Sequence, residues 1–292
     1  MAEPGEMSSS QMVGLNEQPI WDDERAAVWL AHADVRERQL APVLDALFDR
    51  AALQRGERVL DVGVGTGPTT AQAWEAVHPD GLVTGIDIVP AMIAAARERV
   101  TARDIEWIVG DAASHPFPAE TYDAVISRFG VMFFADPVAG FRNLRDATRP
   151  GGRLIVTVWS PLYATGLFGI PYTVVTTTLH RLGVDYQGFP PEGIHFSLGR
   201  PGLARQVLEA AGWTDVEATV DNRTIHLLPD PRAAAKMTML SGPVQMVLDG
   251  QSEMVRAEVE AALVADYEHR RDDSGIGLPS GFIVVAAVRP AM

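Results

Sequence analysis

Residues 59–67, Val-Leu-Asp-Val-Gly-Val-Gly-Thr-Gly, constrain what this chain can fold into more than any other stretch. Three apolar positions, Val59, Leu60 and Val62, surround Asp61 and predict a buried strand running into a tight glycine loop. A helix-forming run, 69–77, follows at once. Glycines at 63, 65 and 67 allow positive φ and let a ligand reach the main chain without meeting a Cβ. Strand, glycine-rich loop and helix in that order build a site for a nucleotide-like molecule.

The loop itself narrows the ligand. A dinucleotide turn of the Gly-x-Gly-x-x-Gly type needs glycine at 68, but Pro68 stands there and Gly67 comes one residue early. Asp61 would repel a pyrophosphate and attract a ligand that carries an ammonium and no phosphate. S-adenosylmethionine is such a ligand, and the loop resembles motif I of the class I S-adenosylmethionine-dependent methyltransferases. A second strand, 82–87, ends in Asp87, 20 residues after Gly67. A carboxylate there can accept two hydrogen bonds from a ribose diol. The next helix, 90–100, opens on Pro90, a favourable first position. A third strand, 105–109, leads into Gly110-Asp111-Ala112. Residues 122–127 read as a fourth strand, and Arg149-Pro150-Gly151-Gly152 as the turn before a fifth, 153–159. This alternation predicts an α/β fold, a parallel sheet with helices on both faces.

The resemblance extends further. Ser127-Arg128-Phe129-Gly130-Val131-Met132-Phe133-Phe134 with Asp136-Pro137, then Phe196-Ser197-Leu198, Ala210-Ala211-Gly212-Trp213, the closing run 281–289 and the Trp21…Trp29 pair resemble small-molecule methyltransferases of the ubiquinone/menaquinone-biosynthesis type. The likeness covers roughly residues 20–290 and departs at Val64, often cysteine in that group, and at His115, usually apolar. It implies a doubly wound, mostly parallel, seven-stranded Rossmann-like sheet with helical insertions forming a substrate cap. It also implies a cofactor-binding set of Asp61, Gly63, Gly65, Thr66, Gly67, Asp87, Ile88, Met92, Asp111, Ala112, Arg128 and Phe129. Two of these have plainer readings: Asp111 as the cap of its own turn, and Arg128 as the partner of a neighbouring carboxylate.

Composition excludes several other functions. The 292 residues carry a net charge of −14 and no basic run, against a nucleic-acid partner. No cysteine is present, which removes disulfides and thiolate metal sites, and no metal centre is expected. No window approaches 18 uninterrupted apolar residues, and residues 1–10 lack the basic start and apolar core of a signal peptide, so a cytoplasmic location is the expectation. Residues 1–15 read as a disordered tail and 16–292 as one domain. Two amphipathic helices, 21–34 and 39–53, precede the first strand. Segments 160–197 and 231–270 interrupt the regular alternation as insertions placed to cap a substrate. The oligomeric state stays open, a homodimer included.

The expected activity is methyl transfer from S-adenosylmethionine to an apolar or aromatic small molecule, since the insertions and N-terminal helices are rich in aromatic residues. The Asn/Asp-Pro-Pro-Tyr segment of amine methylators is absent after the fourth strand, which favours oxygen or carbon over nitrogen. His195, beside the Phe196-Ser197-Leu198 turn, is the candidate general base. The alternatives are a protein of the same fold that uses the bound cofactor for cyclisation, decarboxylation or hydroxylation, and a non-catalytic cofactor-binding module.

Overall fold

A computed structural model of the chain describes residues 21–102, 104–190 and 193–291. The expected tail 1–15 lies outside the described residues. Helices α1 (Asp23–Ala31) and α2 (Ala33–Ala51) come first, separated only by His32, which caps one and starts the other. The sequence predicts a gap at 35–38; those residues are instead the first turns of α2, which therefore carries Glu37. Then follow β1 (Arg58–Val62), α3 (Pro68–Val77), β2 (Leu82–Asp87), α4 (Pro90–Arg99), β3 (Ile105–Val109), β4 (Tyr122–Arg128), α5 (Pro137–Ala147) and β5 (Thr148–Trp159).

The second half contains α6 (Gly166–Arg181), α7 (Pro201–Ala210), β6 (Thr214–His226), α8 (Pro231–Thr238), α9 (Gly242–Leu248), α10 (Glu253–Arg270), the short β7 (Arg271–Asp272) and β8 (Gly275–Val288). Sheet order is β3-β2-β1-β4-β5-β8-β6, with β7 paired to β8 alone. Strands β1 to β5 pair in parallel, and β8 runs antiparallel between β5 and β6. The fold is the α/β, mostly parallel, Rossmann-like one expected, with β7 as an added two-residue strand.

Two strand boundaries differ from expectation. The turn expected at 149–152 lies inside β5 as an irregularity against β4, with Gly151 at φ 75° taking the kink. Strand β6 runs for 13 residues, and β8 starts well ahead of the closing run 281–289, because the two pair with each other past the end of β5. Trp159, the last residue of β5, faces Phe282, and beyond it Asn222–His226 of β6 pair only with residues 277–281 of β8. This two-stranded ribbon overhangs the edge where all the parallel strands end.

Both insertions are built on that overhang. Gly166 seats α6 on β8: a Cβ there would sit 2.1 Å from the Pro279 carbonyl oxygen. Thr165 Oγ1 donates to the Gly281 carbonyl at 2.8 Å, and Leu167 N–H donates to Ser280 Oγ at 2.9 Å. Leu179, Val259, Leu263 and Tyr267 bury fully between α6, α10 and the ribbon. Tyr267 and Thr238 share a hydrogen bond of 2.8 Å that ties α10 to α8. Among the described residues no helix is long and apolar enough to cross a membrane. Separately, a groove of about 390 Å³ opens between α2 and β6, lined by Asp49, Arg50, Glu217, Val220 and Arg223.

Candidate active site

The site begins with strand alternation. Successive side chains of a strand face opposite ways, and parallel partners share a face. Asp61 pairs with Ile126, so Asp61, Ile126 and Arg128 lie on one face of the sheet, beneath α2 and α3. Asp61 is fully buried. Thr70 of α3 donates its hydroxyl to Asp61 Oδ2 at 2.6 Å, while Oδ1 has no partner among the described residues. Burial raises the Asp61 carboxyl to about 7, with Asp87 adding to the rise and Thr70 and Arg128 opposing it.

Arg128, at the end of β4, donates Nη2 to Glu37 Oε2 of α2 at 2.5 Å; the two side chains are 7% and 17% exposed. Its Nη1 is buried and unpartnered among the described residues. Glu37 also accepts from Thr66 Oγ1 at 3.0 Å. One carboxylate of α2 thus holds both the glycine loop and the end of β4. No pattern in the sequence marks it, since Glu37 falls where the residues predict a break between helices. Thr66, expected as a cofactor contact, spends its hydroxyl on Glu37 and is buried.

The three loop glycines have different reasons to be glycine. All have positive φ, at 73°, 54° and 90° for Gly63, Gly65 and Gly67. A Cβ on Gly63 would lie 2.7 Å from Gly130 Cα, and one on Gly67 would lie 2.7 Å from Val100 Cγ2. At those two positions the packing itself leaves no room for a side chain. At Gly65 a Cβ would meet nothing within 4 Å, so this is the residue whose backbone is open to a ligand.

Asp87, at the end of β2, accepts from Gly65 N–H at 3.0 Å and Val89 N–H at 2.9 Å. Burial raises its pKa, and these backbone donors pull the other way. Next to it Ile88 is exposed, whereas Met92 is buried against Ala26, Val89 and the Trp21–Trp29 pair under α1. Met92 therefore fastens the N-terminal helix. Asp111 caps its own turn, accepting from Ala113 N–H at 2.9 Å and Ser114 Oγ at 3.1 Å, and Ala112 is buried beneath it. Asn143 Nδ2 ties that turn to α5 by donating to the Ala112 carbonyl at 3.0 Å and the His115 carbonyl at 2.9 Å.

Beyond the loop the site becomes aromatic. Phe129 takes the left-handed conformation, φ 66°, at the exit of β4, and its ring stacks on Trp159 with centroids 3.9 Å apart and planes 13° apart. Such a conformation costs a non-glycine residue of order 1–3 kcal/mol and is held here by packing. Phe168 of α6 meets Trp159 edge-on at 5.2 Å, Phe196 follows at 5.9 Å, and Phe189 lies 6.0 Å from Phe196. His195 closes the row against Phe133 at 5.6 Å and Phe189 at 5.9 Å. Trp21 of the N-terminal segment also meets Phe133 edge-on at 5.8 Å. Tyr163 is 65% exposed and stands outside this row.

His195 is not poised as a strong base. Its Nδ1 is buried without a partner among the described residues, and burial lowers the imidazole to about 4. A base works best with a pKa near the working pH. At neutral pH this imidazole is uncharged and accepts protons poorly.

The family profile described as "Methyltransferase domain" matches residues 59–152, from β1 through the kink in β5. Aklanonic acid methyltransferase of Streptomyces sp. strain C5 is 38% identical over 130 residues, 44% of this chain and 58% of that protein. Demethylmenaquinone methyltransferase of Deinococcus radiodurans is 31% identical over 224 residues, 69% of this chain and 92% of that protein. The chain belongs to the S-adenosylmethionine-dependent methyltransferases. Among solved structures, a methyltransferase of Bacillus halodurans C-125 superposes with a TM-score of 0.53 at 18% identity, over 85% of this chain and 99% of that one.

The methyltransferase cofactor is S-adenosylmethionine, and the residues present suit it. Open space over Gly65, an unpartnered carboxylate oxygen on Asp61 and an unpartnered guanidinium nitrogen on Arg128 are features an uncharged or phosphorylated ligand would leave unmatched. The bound cofactor supplies an electrophilic methyl group on a sulfonium. Asp87 keeps lone pairs free for a ribose diol while holding Gly65 in place. Asp87→Ala is expected to weaken S-adenosylmethionine binding by about 1.5–3 kcal/mol, the value of hydrogen bonds to a charged group. Calorimetric titration of the variant checks this, and unchanged affinity excludes the ribose role.

Proposed function

We propose that this methyltransferase acts on a planar, apolar or aromatic small molecule, at oxygen or carbon in preference to nitrogen. The carrying observation is the continuous aromatic row from Phe129 and Trp159 through Phe168 and Phe196 to His195. It starts next to the glycine loop and ends under both insertions, since Gly242, at the start of α9, lies against the His195 ring. Aromatic faces favour a flat ligand by stacking and edge contacts. The names of the relatives, an aklanonic acid methyltransferase and demethylmenaquinone methyltransferases, agree with a cyclic, largely apolar acceptor.

In this reading Asp61, Gly65, Asp87, Ile88, Asp111, Ala112 and Arg128 surround the cofactor, with Asp111 adding an acceptor for the adenine amine. Phe129 separates cofactor from acceptor. Segments 160–197 and 231–270 and helix α1 exclude water and shape the acceptor space. Catalysis then comes mainly from holding the nucleophile in line with the methyl group. His195 acts as an uncharged hydrogen-bonding partner for the acceptor, not as the base proposed on the sequence alone.

Incubation with methyl-labelled S-adenosylmethionine and a panel of naphthoquinols, hydroxyanthraquinones and primary amines tests this reading. Label on a quinol or phenol product, with one equivalent of S-adenosylhomocysteine, is the expected result. Labelled amines, or products of unchanged mass, would reject it. The second outcome would favour the cofactor-dependent, non-methylating alternative.

His195→Ala is expected to raise the acceptor KM by roughly tenfold, the loss of a buried hydrogen bond. The S-adenosylmethionine Kd should stay within about twofold of wild type. Because the wild-type imidazole stays neutral down to about pH 4, no rate step between pH 6 and 8 should depend on it. A kcat loss rescued by raising the pH would instead restore the base assignment.

A further inference from the structure

Strand β6 ends the sheet, so one of its two edges has no neighbouring strand among the described residues. Natural edges are kept from pairing by being short or bulged, or by carrying lysine, proline or unpaired charge. β6 is bulged only at its start, where the register shifts between Thr214 and Glu217 and Asp215 stands at φ 51°. From Glu217 to His226 it pairs with β8 without a break and contains neither lysine nor proline. That regular stretch is well beyond the length of an ordinary strand, about five or six residues. Its charges are already balanced. Glu217 and Thr219 lie opposite Ala286 and Val284 of β8, which pack with Leu47 of α2, so Glu217, Asp221 and Arg223 share the α2 face. There Arg50 of α2 pairs with Glu217. Arg223 donates to Asp221 at 3.0 and 3.1 Å and keeps N–H groups over. On the opposite face Val220 is 46% exposed. A chain of net charge −14 repels its own copy except where a surface is locally balanced, as this edge is.

We propose that β6 is a self-association surface: two copies of this chain pair β6 antiparallel about a two-fold axis at Val220, and the sheet continues through both. A two-fold contact sets residue i of one copy against residue j of the other, and j against i. Side chains keep to their own face of the joined sheet, so the axis falls on a residue and not between two. Centred on Val220, Glu217 of each copy faces Arg223 of the other, Thr219 faces Asp221, and each exposed Val220 covers the other. A shift of one residue either way opposes acid to acid, Glu217 to Asp221 or Asp221 to itself. Centring on Asn222 also opposes acid to base, but it sets an asparagine on the axis and Val220 against Thr224. Opposite charges directly across a strand pair attract, and like charges repel. Both α2 helices then lie on one side of the joined sheet, and the groove beside each has room for the Arg223 side chain of the second copy.

The chain has no cysteine, so a single introduced one can join only to its own copy. The full-length wild type is expected to sediment as a concentration-dependent dimer. Val220→Cys should be captured as a covalent dimer by mild oxidation or by a short bis-maleimide. Tyr163→Cys, at a 65% exposed position on the first insertion, reports random collision and should not be captured. Arg223→Glu should raise the dimer dissociation constant roughly tenfold, because it sets two acids against each other on both sides of the axis. Adding Glu217→Arg to it should recover most of that loss, since the reversed charges again face their opposites. Val220→Lys places two ammonium groups on the axis at an already exposed position, and should give a monomer that unfolds as wild type does. A wild type that stays monomeric at every concentration would overturn the proposal. So would a dimer that survives Val220→Lys, or one in which Val220→Cys is captured no better than Tyr163→Cys, because the contact would then lie elsewhere.

Discussion

Gly65→Val is expected to abolish S-adenosylmethionine binding, by more than roughly a hundredfold, while the chain still folds. Gly65 has φ 54° and open space where a side chain would stand, so a valine finds room in the free protein. Its β-branch is strained at positive φ, a cost of about 1–2 kcal/mol. That strain is modest, but the branch occupies the open space over the loop backbone and disturbs the Gly65 N–H bond to Asp87. The same substitution at Gly63 or Gly67 acts through the fold instead. There a Cβ collides with Gly130 or with Val100 and Ala96, and lost stability precedes lost binding. Thermal unfolding and calorimetry on the three variants distinguish these cases. Unfolded Gly65→Val, or folded Gly65→Val with normal affinity, would contradict the assignment.

Asp61→Asn is expected to remove a pH dependence from both stability and binding. In the folded chain the Asp61 carboxyl sits at about 7, above its ordinary value of 3.8, because it is buried and faces Asp87, with only Thr70 and Arg128 favouring ionisation. A folded pKa above the unfolded one means that the folded state holds the proton longer. The stabilisation is complete below about pH 4 and is lost as pH rises to about 7, a difference of about 4 kcal/mol across that window. The asparagine variant should lack this decline and be the more stable protein without ligand at pH 8. Binding runs the other way. An ammonium beside Asp61 needs the ionised carboxylate, so wild-type affinity should rise from pH 6 to 8 with release of a proton. Calorimetry in buffers of different ionisation enthalpy reads that proton directly. Its absence at pH 6.5, or an unchanged pH profile in Asp61→Asn, would remove Asp61 from the site.

Much of this molecule is written locally. Strands β1 to β3 are short, mostly apolar runs closed by glycine or aspartate, and β4 is a similar run that leads into Phe129-Gly130, so their order, the parallel sheet and the positions of Asp61 and Asp87 follow from the sequence. What the sequence hides is what depends on distant pairing. Strands β6 and β8 are long because they pair with each other over a ribbon, which no window of either strand shows. Glu37 is invisible because α1 and α2 nearly merge, and a carboxylate on a polar helix turn looks like solvent-facing surface until Arg128 and Thr66 are brought beneath it. Met92 and Thr66 suit either packing or ligand contact by type, and only burial against α1 and the bond to Glu37 decide between them. His195 is a different case. Its residue type suggests a base, while burial, with Arg25 adding to it, lowers its proton affinity, and neither cause is visible in its sequence neighbours.

The aromatic row and the open groove between α2 and β6 make competing claims on the acceptor. Glu37 and Asp49 are 12 residues apart on α2, about 18 Å along the helix, so the groove is well separated from the glycine loop. A crystal structure with S-adenosylhomocysteine decides where chemistry occurs. The thioether sulfur should point at the Phe129–Trp159 stack, with the amino-acid tail between Asp61 and Arg128 and the ribose on Asp87. A sulfur atom turned toward Arg50 and Arg223, or a cofactor bound away from Gly65, would contradict the proposed site.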